Sequence, residues 1–101
     1  MAAAEPRIIT LLIDKIQSGL YRAEAQSHGS QVTEPSVYSS ISDAIRVEAR
    51  AVPSSFAQFM EVRYYGLSSG TLGLEEAAQR CEVIASRLMS LNAEMKAMAA
   101  V

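Results

Sequence analysis

The sequence predicts an all-α fold: a small three- to four-helix bundle with a long, heptad-patterned C-terminal helix. Three observations predict it. Apolar residues recur at steps of three and four near both ends of the chain. Proline and glycine mostly fall between those stretches, with Gly19 the exception. Hydrophobic residues make up 50% of the 101 residues at a net charge of −2. That composition supports one packed core and lies outside the disordered class.

The first helix is expected over about residues 7–26. Pro6 suits its first turn, where a missing N–H costs nothing. Ile9, Ile13, Ile16, Leu20 and Ala23 would share one face, and Ile8, Leu11 and Leu12 widen it. Gly19 inside it costs about 1 kcal/mol relative to alanine. Residues 27–33 lack a period and form a loop.

A second helix is expected over about 34–50, with Thr33 as its N-cap and Val37, Ile41, Ala44 and Ile45 along one side. Pro53 ends it. Ser55 and Gln58 then have capping-box spacing at the head of a short aromatic third helix, about 55–65. Gly66 fits a C′ position, and 67–73 reads as a turn.

The fourth helix is expected over about 74–99. Leu74, Ala77, Cys81, Ile84, Leu88, Leu91, Met95 and Met98 occupy heptad a and d positions without a miss. The flanking g positions are Arg80, Arg87 and Glu94, and the e positions are Ala78, Ala85 and Asn92. Small residues at e suit a bundle better than an isolated zipper. At 1.5 Å per residue this helix would run about 38 Å, longer than its intramolecular partners. Its distal end would then expose an apolar ridge that needs a cover.

These readings point to a non-enzymatic protein–protein interaction module, an adaptor, assembly factor, chaperone or inhibitor, that self-associates as a homodimer. The expected interface residues are Leu88, Leu91, Met95, Met98, Tyr64 and Tyr65. No catalytic, cofactor-binding or metal site and no small-molecule substrate is expected. His28 is the only histidine and sits in a loop, and Cys81 is the only cysteine, at a heptad a position where it reads as a small buried hydrophobe. The run Gly66–Thr71 precedes a helix start, but it lacks the lysine of a phosphate-binding loop and is followed by Glu75 and Glu76.

Mixed local charge argues against nucleic acid and against an anionic membrane. A small DNA-binding regulator built on a helix-turn-helix over Phe56–Glu82 is the alternative. That turn is long for the motif, and the would-be recognition helix is acidic at its start. A lone cysteine and the lack of an apolar stretch near the ~20 residues of a bilayer span lead to a cytoplasmic expectation.

Overall fold

The run Ile8-Ile9-Thr10-Leu11-Leu12-Ile13 is rich in β-branched residues and apolar on both alternating faces, which suits a strand with neighbours on each side. The computed structural model, which describes residues 7–99, places it as β1 (Ile8–Gln17) in a six-stranded mixed sheet. The other strands are β2 (Leu20–Ser27), β3 (Ser30–Gln31), β4 (Ser36–Tyr38), β5 (Phe59–Tyr64) and β6 (Leu67–Gly73). Three helices, α1 (Ile41–Ala51), α2 (Leu74–Gln79) and α3 (Cys81–Ala99), complete the described residues. The fold is therefore two-layer α/β. The expected all-α helical bundle and its coiled coil are not what the chain forms.

The sheet order is β3-β2-β1-β5-β6, with β4 also paired to β2. β1 runs antiparallel to β2 and parallel to β5. The expected first helix is in fact the β1–β2 hairpin, turning at Ser18 and Gly19. Its buried residues alternate: Ile9, Leu11 and Ile13 on β1, then Tyr21, Ala23 and Ala25 on β2. This is a period of two, the signature of a half-buried strand. Met60, Val62 and Tyr64 on β5 continue the same buried face.

The opposite face carries a polar mosaic. Arg22 reaches Glu24 at 3.2 Å and Asp14 at 3.9 Å, and Arg63 reaches Glu61 at 3.4 Å. Such partly exposed pairs contribute little to stability and suit a solvated face.

The expected second helix is shortened to α1. Ser40, not Thr33, is its N-cap, and the Ser40 hydroxyl accepts from the Asp43 backbone N–H at 3.1 Å. Val37 lies on the edge strand β4 and is exposed. Ile41, Ala44, Ile45 and Ala49 face the sheet at helical spacing. The Tyr38 hydroxyl donates to the Glu48 carboxylate and ties β4 to α1. Burial, first, and that carboxylate push the phenol up to about 12.

The aromatic segment expected as a third helix becomes a turn followed by β5, and the expected turn 67–73 is β6. Tyr65 (φ +51°) and Gly66 (φ +78°) both take left-handed conformations between β5 and β6. That pair makes the two-residue hairpin connection favoured by strand twist, so Gly66 closes a hairpin rather than a helix. A helix-turn-helix over Phe56–Glu82 is absent, since most of that span is a β-hairpin.

The expected fourth helix is broken at Arg80. α2 ends there, and the Arg80 N–H bonds the Glu76 carbonyl at 2.9 Å. Past the break, α3 packs beside α1 and β6. Ala77, Cys81, Ile84 and Leu88 still join one core with the inner sheet face.

Candidate interaction surface

Two features project from one end of the sheet. The last β1–β5 pair is Ile13 with Tyr64, whereas β1–β2 pairing continues to Gln17 and Leu20. The hairpin tip thus overhangs by about four residues, roughly 13 Å at strand rise. The C-terminal turns of α3 reach the same end, where the Lys96 ammonium lies 5.3 Å from the Tyr65 ring centroid.

On α3, Leu88 is 2% exposed and is the last buried residue among those described. Leu91 and Asn92 are half-buried, and every described residue from Ala93 onward is exposed. Met95 is 52% and Met98 77% exposed. The heptad ridge therefore starts inside the core and continues past its own chain's cover.

The six residues expected at an interface divide accordingly. Met95, Met98 and Tyr65 are exposed, Leu91 is half-buried, and Leu88 and Tyr64 belong to the core. Tyr64 stacks edge-on against Tyr65 at 4.6 Å between centroids and lies 6.4 Å from Tyr21. Burial, then Tyr21 and Tyr65, raise the Tyr64 phenol above its ordinary range. Tyr65 is a bulky residue held at positive φ while half exposed. Such strain, of order 1–2 kcal/mol, persists where surrounding contacts over-determine it. Here those contacts are Tyr64 beneath and Lys96 above.

Leu88 and Leu91, expected at an interface, and Ser68–Gly70 of the run expected as a turn also line a groove between α3 and β6. β6 is an edge strand paired only with β5. The groove is about 310 Å³. Leu72, Ile84 and Leu88 line it, with Val83, Arg80 and Arg87 on its helix wall. β6 carries a bulge opposite Val62, where Ser69 and Gly70 replace one residue. The Ser69 hydroxyl accepts from the Val62 N–H at 2.9 Å. A bulge of this kind blunts strand-on-strand addition at the edge. The groove is thus better suited to side chains than to an added strand. The Ser68 and Ser69 hydroxyls line its strand side, and no carboxylate, histidine or thiol does.

The remaining candidates are quiet. Cys81 is buried, and His28 sits exposed in the β2–β3 turn at φ +53°. Among the described residues there is no cluster of His, Cys, Asp or Glu that could hold a metal. Among the described residues, no helix is long and apolar enough to cross a membrane. A second hollow, about 260 Å³, is lined by apolar groups with Thr33 and Glu48. The Glu48 carboxylate is already engaged by Tyr38.

Comparison with family models, curated proteins and solved structures gives no match to this chain.

Proposed function

We propose that the protein is a non-enzymatic interaction module that works as a homodimer, serving as an adaptor, assembly factor, chaperone or inhibitor. One observation carries this reading: α3 leaves the shelter of its own chain after Leu88 while its apolar ridge continues through Leu91, Met95 and Met98. A helix segment of about eleven residues is marginal in water on its own. Its methionines form an adaptable apolar surface that gains from a cover. A second copy is the economical one, because two-fold dimers are the commonest closed assembly.

Sedimentation velocity across a concentration series tests it. The chain is expected to shift from monomer to dimer as concentration rises. Met95→Glu should move that transition to higher concentration by about tenfold or more, since it places a charge in a desolvated seam. A chain that stays monomeric throughout, with or without Met95→Glu, would remove the reading.

A further inference from the structure

The groove flank of α3 carries a stripe whose chemistry is symmetric about its own midpoint. Val83, Arg87, Leu91, Glu94 and Met98 follow steps of four, four, three and four, so they share one face. Val83 is 55% exposed and Met98 77%, although both are apolar. Arg87 and Glu94 are exposed, and neither makes an ion pair among the described residues, whereas Arg80 on the same side pairs with Glu76 at 3.4 Å. Read in either direction, the stripe runs apolar, charged, Leu91 at the centre, charged of opposite sign, apolar.

We infer that two copies pack α3 against α3 in antiparallel orientation, about a two-fold axis passing beside Ser90 and Leu91. This deepens the homodimer reading and rests on it. In that register Val83 meets Met98 of the second copy and Arg87 meets its Glu94, each pair occurring twice. An isologous interface requires such reciprocity, residue i on j and j on i. A parallel alignment sets Arg87 beside Asn92 instead and leaves both charges unmatched.

The groove supplies the second reason. Its helix wall spans Arg80 to Leu91, about 16 Å of helix. The unsheltered end from Leu91 to Ala99 is about 12 Å long. In the antiparallel register, Met98 of the second copy comes down beside Val83, at the groove mouth floored by Leu72, Ile84 and Leu88. The uncovered ridge and the unfilled groove thus occupy one another. Contact then extends along most of the 19-residue helix rather than over its tip alone.

The experiment is a charge exchange in the full chain, with dimer dissociation constants from sedimentation and secondary structure checked by circular dichroism. All the changed residues are exposed, so the fold should survive. Arg87→Glu and Glu94→Arg should each weaken the dimer by about tenfold or more, because each sets like charges together at two symmetric places. The double variant Arg87→Glu/Glu94→Arg should return to within about threefold of the parent, the non-additivity expected of a paired contact. A dimer whose double variant is no tighter than the singles overturns this register while leaving self-association standing. A chain that never dimerises overturns both.

Discussion

Gly66 and Gly73 bracket β6, and their backbones separate what the same substitution would do. Gly66 sits at φ +78°, the left-handed half of the β5–β6 turn. Gly73 sits at φ −61° and ψ 148°, an N-cap conformation open to any residue, with no side-chain cap on α2. A Cβ at either position meets nothing within 4 Å, so space is not the deciding factor. Gly66→Ser should destabilise by about 1–2 kcal/mol through the forced left-handed conformation. Gly73→Ser should stabilise by about 0.5–1 kcal/mol, from a new cap hydrogen bond and a stiffer unfolded chain. Urea midpoints of the two variants, moving in opposite directions from the parent, are the check; a shared direction would contradict the turn assignment. At this scale the sequence was partly legible. Tyr65-Gly66 and His28-Gly29 are each a residue followed by glycine between strand-like runs, and both pairs have positive φ. Gly66 also fits a helix end, and only the pairing of Tyr64 with Leu67 separates the two roles.

Elements were harder to read, because a step of four is ambiguous. Ile9 to Ile13 returns to the same side of a helix and also to the same side of a strand. Leu11 between them decides, since it is as buried as either and a helix would turn it away. Over 20–27 the alternation is stricter: Tyr21, Ala23 and Ala25 inward, Arg22, Glu24 and Gln26 outward. That signal was legible but was masked by the apparent continuity with Ile16 and Leu20, which actually span the hairpin turn. On α3 the 3–4 pattern does mark a helix, and its first half is buried as a heptad ridge would be. What the pattern could not contain is the break at Arg80, nor the fact that Leu88 and Tyr64 serve the core rather than a partner. Two truncations on one ridge expose that boundary. Leu88→Ala should cost about 2–5 kcal/mol of unfolding free energy, the range for a buried leucine. Met98→Ala should change monomer stability by less than about 0.5 kcal/mol, as exposed sites do, while weakening the dimer. Chemical denaturation at low protein concentration, beside sedimentation at high concentration, separates the two effects.

Across the whole molecule, the described residues extend 55 × 25 × 24 Å, with a radius of gyration of 14.0 Å. A 100-residue domain packed evenly has about 13 Å. An elongated shape of this kind leaves more of the chain at its ends, and the overhanging hairpin tip and the end of α3 are two such weakly covered parts. Stability should therefore be unevenly distributed: high in β1 and β5, where strands pair on both sides, and low beyond Leu88, where backbone hydrogen bonds face water. Self-association through α3 couples that weak end to concentration. In the monomer, amides of residues 92–99 should exchange close to the rate of a fraying helix. In the dimer they should slow roughly in proportion to one plus the ratio of free protein to the dissociation constant. Amide exchange at two protein concentrations, one below and one well above the sedimentation midpoint, measures this directly. Residues 92–99 should gain protection at the higher concentration, while Ile9–Ile13 and Met60–Tyr64 stay unchanged. Equal protection of 92–99 at both concentrations would mean that the second copy covers some other surface. Protection gained instead along β2 and β4 would place the seam at the opposite sheet edge, where Val37 is also exposed.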